Sequence, residues 1–139
     1  MASETFGWIS LVIRSEKMSL DIIQTITHTK PTRFTLKDSG RSFKATKDTW
    51  IYKEEYRVTD DMLLSNEIEK AMKNFLCKFE NVDFSKLKEI SDEIYVTIYI
   101  SSNNSQIGFV ANNDLMARLF NLNIDVEFSI LSMGEVDDI

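Results

Sequence analysis

The residue pattern predicts an α+β fold, a mostly antiparallel mixed sheet packed against three to four helices in one domain. Three observations carry this. Residues 93–101 alternate sharply: Ile94, Val96, Ile98 and Ile100 face one way and Tyr95, Thr97 and Tyr99 the other, as a half-buried strand requires. Residues 123–131 do the same, with Ile124, Val126, Phe128 and Ile130 inward and Asp125, Glu127 and Ser129 outward. Between about Thr59 and Glu80, Leu64, Ile68, Ala71, Met72, Phe75 and Phe79 recur on one side of a helix. Short connections favour antiparallel neighbours with helices packed on the sheet.

The elements follow in order. Residues 6–14 are aromatic and β-branched and read as the first strand. Ser19 is placed to cap a short helix over 20–28, in which Leu20, Ile22, Ile23 and Ile26 recur at helical spacing. Pro31 stops it, because proline disfavours helical geometry in the residue before it. Residues 32–37 read as a second strand and 48–57, centred on Trp50, as a third. Asp38-Ser39-Gly40-Arg41-Ser42 between them is a loop. After the long helix, Asp83 caps a helix over 84–91, with Leu87 and Ile90 inward. The strand 93–101, a polar turn, a short strand over 106–111, a helix capped by Asn112 or Asn113, and the strand 123–131 complete the order β-α-β-β-α-α-β-β-α-β. The ordered core spans about 6–131, and 132–139 form an acidic tail that should fray.

Composition narrows the function. The chain has 139 residues, 43% of them apolar, enough for one core without staples. A single cysteine excludes a disulfide scaffold, and no run approaches the roughly 18 apolar residues of a membrane span. The start lacks the basic region of a signal peptide, so a cytoplasmic location is expected. Net charge is −6, divided as +3 over residues 1–58 and −9 over 59–139. An acidic half argues against nucleic acid and anionic membranes as partners and for a basic one, although plain solubility explains the same charge.

The sequence offers little for catalysis. His28, the one histidine, ends a short helix, where it can pair with the negative helix end. Cys77 falls on the polar side of the long helix with no histidine nearby, so neither a nucleophile pair nor a zinc set is present. The pairs Asp60/Asp61 and Asp92/Glu93 lie at helix starts or turns. No phosphate-binding glycine loop occurs. No enzyme activity, metal or cofactor is expected.

Two surfaces remain. The outward strand faces carry Tyr95, Tyr99, Asp125 and Glu127, with Trp8 a further candidate, and aromatics mixed with carboxylates have the make-up of a protein interface. The bland reading makes this face a second core under another helix. The basic stretch 30–47, with Arg33 and Arg41 near Trp50, could instead hold an anion or metabolite, or could be a solvated loop.

Several of these residues also carry a resemblance. The first helix runs into Thr29-Lys30-Pro31-Thr32-Arg33, a basic loop and Trp50 follow, and the end reads Leu122-Asn123-Ile124-Asp125-Val126-Glu127-Phe128. The chain resembles the bacterial domain-of-unknown-function family 4279 over about residues 6–131. The family's usual Lys-Gly pair in the loop is replaced here by Asp38-Ser39-Gly40-Arg41. The resemblance brings no established enzyme activity. Its members are similar to, and often accompany, immunity proteins of bacterial toxin systems, which implies that this chain binds and neutralises a cognate toxin domain. A nuclease domain fits an acidic face, since such toxins are basic where they hold nucleic acid. A small-ligand regulatory domain is the second expectation.

Overall fold

A computed structural model describes residues 4–37, 47–104 and 106–134. Among the described residues, five strands form one sheet in the order β2-β3-β1-β4-β5. The strands are β1 (Thr5–Ser15), β2 (Arg33–Thr35), β3 (Asp48–Val58), β4 (Glu93–Ser102) and β5 (Asp125–Ser132). Every neighbouring pair is antiparallel except β4 and β5, which run parallel. The helices are α1 (Leu20–Thr27), α2 (Leu64–Phe79), α3 (Phe84–Ile90) and α4 (Asn113–Phe120).

Three of the four described helices, α1, α3 and α4, start where a side chain takes up a free backbone N–H, while α2 has no side-chain cap of its own. Ser19 Oγ accepts from Ile22 N–H, Asp83 from Lys86 N–H and Asn112 from Leu115 N–H. Asp60 caps a 3-10 turn, Asp61–Leu63, that leads into α2. His28 follows α1 in the left-handed conformation (φ 54°), and its backbone N–H reaches Gln24 O at 2.7 Å. The helix end is therefore closed by the backbone of His28 rather than by its imidazole.

The core lies between the helices and one sheet face. Ile9, Leu11 and Ile13 of β1, Trp50 and Val58 of β3, and Val96, Ile98 and Ile100 of β4 meet Ile68, Met72, Phe75, Leu76 and Phe79 of α2. Ile23, Leu87, Leu115 and Leu119 bring α1, α3 and α4 into the same cluster. Asp48 is buried and ties three segments together, accepting from Met18 N–H at 3.1 Å and Lys37 N–H at 2.8 Å.

Three expectations are corrected. Residues 106–111 are not a strand. Val110 N–H donates to Ser65 Oγ at 2.8 Å while Ile107 and Phe109 pack on the core, so the segment lies over α2. The place beside β4 that it would have taken belongs to β5, carried there by α4. Phe128 and Ile130 do share the helix-side face, through the register Ile98↔Phe128 and Ile100↔Ile130, yet each is about half exposed, because β5 is an edge. Ile90, expected inward, is 40% exposed at the last turn of α3.

Candidate functional site

The helices all bury residues in one cluster, and its sheet members all lie on one face. The opposite face is therefore the open one, and a second core under another helix does not form among the described residues. Antiparallel and parallel register both place paired residues on the same side. Reading across β3, β1, β4 and β5 gives the rows Glu55–Trp8–Tyr99–Ser129, Lys53–Ser10–Thr97–Glu127 and Ile51–Val12–Tyr95–Asp125. Tyr95, Tyr99, Asp125 and Glu127 thus stand together on the open face, and Trp8 joins them.

Aromatic contacts order the middle of this face. Trp8 and Tyr99 stack with ring centroids 4.3 Å apart, and Phe6 leans on Tyr99 at 6.5 Å. Lys53 Nζ lies 3.8 Å from the Trp8 ring centre, and the Arg57 guanidinium 5.3 Å from that of Phe6. Ser10 and Thr97, the small residues in the row next to Trp8 and Tyr99, are buried. Lys53, Arg57 and Phe6 were missed in the sequence. The alternation that marked Tyr95 and Tyr99 also runs through 48–57, but only the strand order shows which alternating set shares the aromatic face.

Charge on the face is graded. At the start of β4, Glu93 pairs with Arg14 at 3.2 Å and with Lys47 at 3.9 Å. Asp125 and Glu127 are exposed and have no ion-pair partner among the described residues. Burial pushes the Tyr95 phenol above its ordinary value; Arg14 opposes this, while Glu127 and Glu93 add to it. The β5 side therefore carries negative charge that no described residue pairs with.

Of the alternative anion-site residues, Arg33 and Trp50 do not come together. Trp50 is 0% exposed, set edge-on to Phe79, and offers no surface to a ligand. Arg33 pairs with Ile51 in register and so projects on the open face, whereas Trp50 projects into the core. Arg41 lies outside the described residues, as do Glu135–Ile139 of the acidic tail. Among the described residues no group of three or more His, Cys, Asp or Glu could hold a metal, and no helix is long and apolar enough to cross a membrane. Cys77 is exposed, as its helical position predicts.

A cavity of about 680 Å³ opens on the other side of the sheet, between Ile130 and Ser132 of β5 and the segment at Ile107 and Gly108. Its polar wall is internally bonded: Thr5 Oγ1 donates to Asp61 Oδ1 at 3.1 Å and lies 2.9 Å from Ser102 Oγ, and Asn104 donates to Asp61 Oδ2.

Compared with known proteins, residues 3–133 match the model of a family described as Domain of unknown function (DUF4279). No curated protein and no solved structure matches the chain.

Proposed function

The chain belongs to the DUF4279 family, and on that premise we propose that it is a non-enzymatic cytoplasmic binding protein, an immunity protein that neutralises a cognate bacterial toxin domain by covering it. The single observation that carries this reading is the pair of exposed carboxylates, Asp125 and Glu127, unpaired among the described residues and standing beside Tyr95 on a sheet face that no described helix covers. Such carboxylates on an ordered aromatic floor suit a basic partner: the charges speed encounter and the rings supply contact area. A nuclease domain, basic where it grips its substrate, is the partner chemistry that fits best.

The reading is tested by mixing the protein with the product of the adjacent gene and measuring binding, and the toxicity of that product with and without the protein. Binding that silences the toxin, and that weakens as salt rises, is expected. A soluble, folded protein that neither binds that product nor protects growth against it would overturn the proposal.

A further inference from the structure

The geometry points to β5 as an acceptor strand that takes an extended segment of the partner, with alternating basic and apolar side chains, as one more strand of the sheet. This rests on the partner-binding reading above and names how the partner is held. Among the described residues β5 is the edge of the sheet. Just past it, Met133 N–H donates to Ser102 O of β4 at 2.9 Å. Extended backbone turns its N–H and C=O groups to alternate sides. By that repeat the odd-numbered residues of β5 face β4, and Val126, Phe128 and Ile130 turn their N–H and C=O outward, as edge strands do.

The side chains match this edge in chemistry. Phe128 and Ile130, on the helix side, are 50% and 56% exposed. Asp125 and Glu127, on the open side, carry unpaired charge. An incoming strand therefore meets an apolar row below and a carboxylate row above, with backbone groups between that no described residue takes up. Directly opposed like charges destabilise a strand pair and opposite charges stabilise it. A second copy of this chain would bring its own carboxylates to the same edge, whereas a strand alternating lysine or arginine with an apolar residue satisfies both rows. The cavity bordered by Ile130, Ile107 and Gly108 gives the apolar side chain that arrives opposite Ile130 somewhere to go.

A short synthetic peptide that alternates lysine and valine is the probe, with a control of the same composition whose lysines are grouped at one end. Amide exchange and chemical shifts of the intact protein are followed residue by residue. The alternating peptide should protect the amides of Val126, Phe128 and Ile130 and bind roughly tenfold more tightly than the control, with affinity falling as salt rises. Ile130→Pro, which removes one outward N–H at an edge that tolerates proline, should abolish the protection. Should that variant misfold, a peptide methylated on alternate backbone amides makes the same test and should not bind. Perturbation confined to Trp8, Tyr95 and Tyr99, with the β5 amides still exchanging freely, would overturn strand addition and leave the partner-binding reading standing. No response anywhere would overturn strand addition, and the binding and growth-protection test above would still decide the partner-binding reading. Protection of β5 in the free protein that grows with protein concentration would show that a second copy takes the edge, and would overturn the inference.

Discussion

Gly7 sits where three strands meet, and its missing side chain is a structural requirement. Tyr56 of β3 reaches past it to donate its hydroxyl to Tyr99 O of β4 at 2.6 Å, and a Cβ on residue 7 would fall on that carbonyl and against the phenol oxygen. Gly7→Ala should therefore cost about 3 kcal/mol in chemical denaturation, since a neighbouring backbone cannot give way as a flexible side chain does. Tyr56→Phe, which keeps the ring, should cost only about 1 kcal/mol. Burial raises the Tyr56 phenol above its ordinary value, and burial together with the hydrogen bond to Glu54 does the same for Tyr52. Both tyrosines are thus held protonated in the folded chain. Their contribution is complete below the unfolded value of about 10 and drains away as pH climbs through the higher folded values. Denaturation followed above that pH should show wild type losing stability, with a shallower loss for Tyr56→Phe; identical alkaline slopes would contradict the burial described. At this scale the sequence was partly legible. Alternation marked Tyr95, Tyr99, Asp125 and Glu127 as one outward set, because period two is a local property. The role of Gly7, the burial of Trp50 and the seat of Lys53 over Trp8 depend on which strands are neighbours, which no local pattern records.

Among the elements, α2 was the most legible, since one helix has one periodicity and packs by it. Phe75 is fully buried and Cys77 exposed, as their positions around the helix require. Phe75→Ala should destabilise by roughly 3–5 kcal/mol in urea melting, the usual loss for a buried aromatic. Cys77→Ser should change stability by less than about 0.5 kcal/mol. Reversed effects would mean that α2 is rotated from the register given. The caps Ser19, Asp83 and Asn112 were readable for a similar reason, because a cap acts within three residues of itself. The failures lie where two elements compete for one place. Residues 106–111 are apolar enough for a strand, but β5 reaches the edge of β4 first, and Ser65 takes the Val110 N–H. The inward row of β5 was assigned correctly to its face; its exposure was invisible because the sequence does not say where the helix layer stops. Asp48 makes a test at this scale. Its carboxylate holds the backbone of Met18 and Lys37, so Asp48→Ala strands two donors and should cost about 3 kcal/mol by thermal or urea melting.

For the molecule as a whole, charge and layering act together. The four described helices gather on one side of the sheet, leaving the other, among the described residues, for Trp8, Tyr95 and Tyr99. Across that face Arg33, on β2, and Asp125, on β5, mark opposite edges, about 19 Å apart at ordinary strand spacing. The halves of the chain differ in charge, and the fold turns this difference along the sequence into one across a surface. The α+β class followed from the alternating strands and one long helix, and the sheet's order did not, because register between distant strands is set by the packed core. The central claim is that the acidic β5 side of the open face binds a basic protein. It is tested most directly by the affinity of Glu127→Lys and Asp125→Asn for the protein product of the adjacent gene, measured across a salt series alongside wild type. The account predicts that both variants fold normally, that Glu127→Lys binds at least about tenfold more weakly, and that the salt dependence flattens. Wild-type affinity and unchanged salt dependence in both folded variants would contradict it.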